Sequence, residues 1–245
     1  MLGDGVAWGV TRILLHGQPR DVAAAIEQPV GFDENDGNIR SSVPAVRRSA
    51  RTVPERSGDA GMVSEDQRQE MVELRLPRTD EEQEFLSAHR ATSPGVPSFL
   101  HYYAEGMPFD RYLEVLQQQA RGEHLSPQHV PSTFLFAFDG PRIVGRVSIR
   151  HGLNEFLLRL GGHIGYVVVP EFRRRGYATA MLRRAIEIAR DRFGLTRVLL
   201  TCDDDNVGSI RTIEKNGGVL ENIVTGPDLA TPKRRYWIDA RQRDA

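Results

Sequence analysis

The residues best suited to chemistry run from Val167 to Thr179, in the order Val-Val-Val-Pro-Glu-Phe-Arg-Arg-Arg-Gly-Tyr-Ala-Thr. A β-branched run stops at Pro170, passes through three arginines and Gly176, and enters an amphipathic stretch. Amides at a helix start have no intrahelical acceptor, and the macrodipole places about half a positive charge there. A glycine at that turn lets an anion approach the backbone closely, so the segment reads as a phosphate cradle. A diphosphate-bearing cofactor is then the leading ligand. Neither G-x-G-x-x-G nor G-x-x-x-x-G-K-[ST] occurs here, which removes the dinucleotide fingerprint and the P-loop. Cys202 sits at a strand end without a sequence-adjacent partner and reads as buried structure. Asp203, Asp204 and Asp205 lack ligand spacing, and the dipole of the following helix accounts for their charge.

The elements that must position this cradle are legible around it. Gly162–Val169 reads as a strand. Residues 176–193 carry Ala178, Met181, Leu182, Ala185, Ile186, Ala189 and Phe193 at the spacing of one buried helical face. Arg197–Thr201 reads as the next strand, Asp205-Asn206 as a cap, and Val207–Asn216 as a helix ended by Gly217-Gly218. Upstream, Val72–Leu76 alternates like a strand. Thr79 with Glu82 three residues on forms a capping box for a helix burying Phe85, Leu86 and His89. Pro108 suits the first turn of a second helix that ends at Gly122. Phe134–Phe138 and Ile143–Ile149 form a hairpin around Asp139-Gly140-Pro141, and Gly218–Val224 and Arg234–Asp239 complete the strands.

Arg173-x-x-Gly176-x-Ala178, following a strand and opening a helix, resembles the coenzyme A pyrophosphate signature of the GNAT (N-acetyltransferase) superfamily. The run Gly162–Pro170 resembles that family's fourth strand, and Asn206 to Lys215-Asn216-Gly217 its second cofactor-binding block. The resemblance covers about Met71 to Ile238. It implies an α/β (α+β) fold: a mixed, mostly antiparallel sheet with helices on both faces and its fourth and fifth strands splayed. It also implies transfer of an acetyl group from acetyl-CoA to a primary amine of a small acceptor, by direct attack and without a metal. The main chain of Tyr166 and Val168 would hold the pantetheine arm. Arg173, Arg174, Arg175, Gly176, Tyr177, Ala178 and Thr179 would hold the pyrophosphate, with Asn206 and Ser209 in the second block. His163 stands where the family often has a glutamate acting as general base, and an unperturbed histidine pKa of about 6.5 suits that work. Glu155 and His151, in the preceding turn, are the other candidate bases. The family's usual tyrosine acid falls on Ile213, a departure that favours a rival reading, a catalytically silent acyl-CoA-binding sensor or interaction module. Within the superfamily the chain is similar to a little-studied bacterial group sharing the patterns found at Arg150–Leu157 and Thr201–Asn206. Acceptor-facing parts would be Pro94–Met107, Gly122–Ser132 and Gly152–Leu160.

The formal net charge of −1 over 245 residues supplies no global field to recruit nucleic acid or an acidic membrane. No apolar run approaches the roughly 20 residues of a membrane span, and a single cysteine suits a reducing, cytoplasmic setting. A homodimer is compatible with the resemblance. Residues 1–70 differ in kind. From Gly31 to Gly61 the chain is rich in Gly, Ser, Pro, Asp and Arg without a period, so it offers little apolar area to offset ordering entropy. Only two lysines, Lys215 and Lys233, stand among 32 basic residues, which suggests a GC-rich coding sequence whose frame extends upstream of the true start. The expected organisation is therefore an extension over 1–70, either disordered or untranslated with initiation at Met71 or Met62. The catalytic domain follows over 71–240, with a frayed tail over 241–245.

Overall fold

The computed structural model describes residues 72–92, 99–104 and 106–241. The expected arm over 1–70, the proposed starts, part of Pro94–Met107 and the last four tail residues lie outside that set. Four strands, β1 (Glu73–Arg75), β2 (Ser132–Asp139), β3 (Arg142–Arg150) and β4 (Ile164–Val168), form one antiparallel sheet in that order. Three more, β5 (Arg197–Asp203), β6 (Val219–Val224) and β7 (Lys233–Asp239), form a second antiparallel sheet in the order β5-β7-β6. Helices α1 (Glu82–Thr92) and α2 (Phe109–Arg121) precede the hairpin, α3 (Tyr177–Phe193) joins β4 to β5, and α4 (Val207–Lys215) joins β5 to β6.

Strand alternation sends apolar side chains to both faces, so each face carries its own core. Phe134, Phe136 and Phe138 of β2 pack with Phe85 of α1 and Tyr112 of α2. On the other face Val147, Ile149 and Ile164 meet Met181, Leu182 and Ala185 of α3. The sheet is thus covered by helices on both sides, as the resemblance implies.

Three local details depart from the sequence reading. The capping box forms one residue early: Glu81, not Glu82, turns back to accept the Arg78 N–H at 2.7 Å. Arg75 on β1 explains the shift, because its guanidinium grips Glu81 with bonds of 2.7 and 2.8 Å. A 3-10 turn over Thr79–Glu81 therefore precedes α1, and Glu81 is held to about pH 2 by that guanidinium. Pro108 is the residue before the first turn of α2, with extended ψ of 138°, and Gly122 ends that helix as expected. Along α3, Tyr177 and Ala180 are buried while Ala178 is only half-buried. The Tyr177 hydroxyl donates to the Asp139 carboxylate in the β2–β3 turn, and this bond sets the helix's rotation at its start.

The turn before β4 holds a five-residue π-helix, Leu157–Gly161, for which the sequence gives no period. Asn154 stands before the helical turn that leads into it, accepting the Leu157 N–H at 2.9 Å while donating to the Gln128 carbonyl at 2.8 Å. Arg150 donates to the Gly161 and Gly162 carbonyls, the Thr201 hydroxyl donates to the Leu160 carbonyl, and Arg159 pairs with Asp228. Gly162 then turns at φ 65°, and a Cβ there would lie 2.6 Å from the Leu199 carbonyl oxygen. Gly162→Ala is expected to cost about 2 kcal/mol through strain and forced separation of β4 from β5. A lower denaturant midpoint with an unchanged m-value would show it.

Candidate active site

The site is built around the seam between β4 and β5. At its closed end the His163 N–H donates to the Leu199 carbonyl at 2.7 Å, and the Leu199 N–H donates to His163 Nδ1 at 2.9 Å. Past that point the two strands belong to separate sheets. The β3–β4 ladder is bracketed by bonds from Arg150 N–H to His163 O and from Val169 N–H to Val144 O. Antiparallel alternation then assigns the main chain of Gly165 and Val167 to β3, and that of Tyr166 and Val168 to the seam. The sequence expectation for Tyr166 and Val168 thus coincides with strand groups that β3 does not use. Arg173 partly fills this edge, its Nε donating to the Val168 carbonyl at 3.3 Å.

Beyond β4, a 3-10 turn over Pro170–Phe172 leads into α3. Arg174 at φ 61° and Gly176 at φ 85° are both left-handed, a conformation glycine adopts freely and arginine at some cost. The Ala180 N–H bonds the Gly176 carbonyl at 3.2 Å, so the amides of Tyr177, Ala178 and Thr179 precede the first intrahelical bond. No side chain caps this end, and no acidic residue lies in its first turn. Arg174 and Arg175 are exposed, with the Arg175 guanidinium 5.8 Å from the Phe172 ring centre. The three arginines therefore divide. Arg173 turns onto the strand edge, whereas Arg174 and Arg175 flank the helix start. The Tyr177 side chain is occupied by Asp139, which leaves its backbone as the part near the cradle.

The second block lies at the start of α4. Asn206 is only 5% exposed; its Oδ1 accepts the Ser209 N–H at 3.0 Å, while its Nδ2 is buried without a partner. One side chain thus caps the helix and leaves its amide nitrogen unused. Tyr166 Oη is likewise buried without a hydrogen bond. Ile213 is 1% exposed in the α3–α4 core. Cys202 is buried beside it, and burial pushes its thiol up to about 12, which removes it as a nucleophile at neutral pH. Asp203 and Asp204 do not serve the helix dipole as expected. They pair with Lys233 and Arg234 on β7, the latter at 2.6 Å. Among the described residues no group of three His, Cys, Asp or Glu side chains could hold a metal.

The three candidate bases occupy different settings. His163 is 6% exposed, and burial, aided by the charge of Arg150, lowers its pKa to about 4. Because Nδ1 accepts the Leu199 N–H, neutral His163 carries its proton on Nε2, and its one lone pair is already committed. His151 stacks on Phe193 at 3.8 Å, with Nε2 2.8 Å from the Thr133 hydroxyl. Phe193 ends the 17-residue α3, about 24 Å along the axis from its first turn, so His151 is not brought to the cradle. Glu155 is exposed, in the helical turn that precedes the π-helix.

Residues 97–218 match the family model described as the acetyltransferase (GNAT) family. Among curated proteins the chain is similar to the uncharacterized N-acetyltransferase YjdG of Bacillus subtilis (strain 168). The two are 34% identical over 75 residues, which are 31% of this chain and 40% of that protein. YnaD of the same organism, also an uncharacterized N-acetyltransferase, is 29% identical over 76 residues, 31% of this chain and 43% of that protein. The chain thus spans about two fifths of the length of these curated relatives. Among solved structures it resembles the ribosomal alpha-N-protein acetyltransferase RimL in complex with coenzyme A, at a TM-score of 0.52 and 16% identity, covering 69% of this chain and 96% of that one. It also resembles the microcin self-immunity acetyltransferase MccE in complex with acetyl-CoA and AMP, at a TM-score of 0.50 and 15% identity, covering 68% and 91%. These likenesses establish a shared fold.

The seam bond at His163 has a pH signature. Its folded pKa of about 4 lies below the unfolded value of about 6.5, so the unfolded chain binds more protons between them. The stability this histidine contributes is full above pH 6.5 and falls as the pH drops toward 4. His163→Asn keeps an acceptor for the Leu199 N–H but cannot titrate. Denaturant melts from pH 7 to pH 4 are expected to show a shallower loss of stability in that variant than in the parent.

Proposed function

The chain belongs to the acetyltransferase (GNAT) family, and we propose that it transfers the acetyl group of acetyl-CoA to a primary amine of a small acceptor by direct attack. One observation carries this reading: the strand edge of Tyr166 and Val168 opens beside an uncapped helix start flanked by Arg174 and Arg175. An extended chain bearing amides suits the strand edge, because it can take up main-chain groups that β3 does not use. A diphosphate suits the amides of Arg174 to Thr179 and the two guanidinium groups, through charge-assisted hydrogen bonds. Asn206 Nδ2 supplies a further donor to the same extended ligand, and Ser209 lines the approach to it.

Direct attack requires a neutral amine, so a base must take a proton from the attacking nitrogen. With the lone pair of His163 held by Leu199, His163 serves to fix the seam and Glu155 is the residue we assign as base, acting directly or through water. No described helix is long and apolar enough to cross a membrane. The second reading, a catalytically silent acyl-CoA-binding module, draws on the burial of Ile213 where the family commonly has a tyrosine.

Calorimetry and turnover together test these readings. Acetyl-CoA is expected to bind the protein, and replacing both Arg174 and Arg175 with alanine should weaken it about tenfold or more. Free thiol should be released across a panel of polyamines, aminoglycosides, amino acids and N-terminal peptides. Glu155→Gln should lower kcat/KM about 10²-fold with binding of acetyl-CoA intact. Binding without turnover on any amine would leave the silent module, and no binding would remove both.

A further inference from the structure

On the side of β4 away from α3 lies a polar corner dominated by one guanidinium. Residues directly opposite in an antiparallel pair share a face. Ser132 stands opposite Arg150, Phe134 opposite Ser148, and Ser148 opposite Gly165, so all five lie on the α1–α2 side of the sheet with the Phe134 core. Arg150 Nη1 donates to the Gly161 and Gly162 carbonyls at 3.3 and 3.1 Å. Its Nε and Nη2 bond no described residue, yet neither is sealed from solvent, and the residue keeps part of its surface exposed. Burial opposes the charge, and among the described residues no carboxylate pairs with it. The charges acting on the nearby His101 ring are those of Arg146, Arg150 and His129, all of one sign. A largely buried guanidinium in such company costs stability until an anion joins it, and its planar fork matches a carboxylate. The walls of the corner are aromatic: the His101 and Tyr102 ring centres lie 5.3 and 5.7 Å from that of Phe134. Tyr102 is left-handed at φ 67°, a backbone that a bulky residue holds only under constraint. Gly165 is the floor, where a Cβ would stand 3.1 Å from Ser148 Oγ and 3.9 Å from Arg150 Nη1. Glycine weakens a strand interior, and here it leaves the β4 backbone bare beside the guanidinium, one residue from Tyr166. The opposite face of β4 is filled, with Tyr166 packed on the core that contains Ile213. A second substrate therefore meets the seam from the Arg150 side.

We propose that the acceptor amine also carries a carboxylate, as an amino acid does, and that Arg150 grips this carboxylate through Nε and Nη2 beside His101 and Tyr102. The proposal rests on the reading above that the seam holds acetyl-CoA, and it narrows the acceptor from primary amines at large. A short spacer between carboxylate and amine keeps the nitrogen over Gly165, next to the strand edge assigned to the thioester arm. Polyamines fit this corner poorly, because they bring further cations to a guanidinium and offer it no anion.

Matched acceptors test it: the L-amino acids, their carboxamides and the corresponding aminophosphonates, with kcat/KM measured for each. The carboxamide carries the less basic amine, so supply of the neutral nucleophile alone would favour the amide. The expected result is at least one amino acid preferred over its own amide by about 30-fold or more, mainly through KM. Arg150→Gln should bring that ratio below about threefold. A ratio taken on one preparation does not depend on the fraction folded, so loss of the bonds to Gly161 and Gly162 cannot imitate the effect. Calorimetry of the same acids and amides, titrated into protein saturated with coenzyme A, reads the grip without turnover. No preference for any acid in both measurements, a preference for the aminophosphonate over the carboxylate, or a ratio unchanged in Arg150→Gln would overturn the assignment while the cofactor reading stands. Failure of the parent protein itself to bind coenzyme A would overturn both.

Discussion

The architecture turns on a hydrogen-bonded closure between two sheets. At His163 and Leu199, main chain and imidazole together close two hydrogen bonds, and beyond them β4 and β5 part. A sheet that stayed zipped would have no free main chain to offer a ligand. Without the closure, β5 would be held to β4 only by the core the two strands share beneath α3, which fixes no register between them. The residues around the closure reflect that constraint: Gly162 has no room for a side chain, and Arg150 and Thr201 tie down the carbonyls of the preceding π-helix. Histidine there works as a strand-to-strand connector, and its depressed pKa follows from burial.

Polar groups on the seam follow a common economy. Asn206 spends its oxygen on the helix and keeps its amide nitrogen uncommitted, and the buried Tyr166 hydroxyl closes no hydrogen bond of normal geometry. Asp203 and Asp204, by contrast, are fully spent on β7 cations, and Cys202 is locked in the thiol form. Between Cys202 and Asn206 the chain thus sets an uncommitted donor beside charges used for construction.

What the sequence reveals is what local rules encode. Val167 to Thr179 declares a strand, a proline, a glycine turn and a helix in consecutive residues, so the cradle is readable without a partner. The seam positions of Tyr166 and Val168 are legible through the family resemblance, and the register of β4 on β3 agrees with them. What depends on residues distant in the chain is hidden. Asp203 and Asp204 meet partners thirty positions away, and nothing in their own neighbourhood announces β7. Glu81 is drawn by an arginine on the preceding strand, which moves a cap by one residue. His163 is chosen by its place in the strand, but its Nδ1 is spent on a neighbouring strand that alternation alone cannot register. The π-helix has no sequence period of its own, and the Tyr166 hydroxyl finds its setting only after α4 packs.

The bond from Tyr177 to Asp139 makes the hairpin turn and the start of α3 one mechanical unit. Asp139 is thereby asked to do two jobs, bending the chain before Gly140 and anchoring a helix 38 positions later. A grafted loop that preserved only the bend would still fold the hairpin, yet it would let the helix swivel and misaim its leading amides. The length and chemistry of that small bend are therefore subject to the demands of the anion site, although no atom of the bend need ever touch the anion.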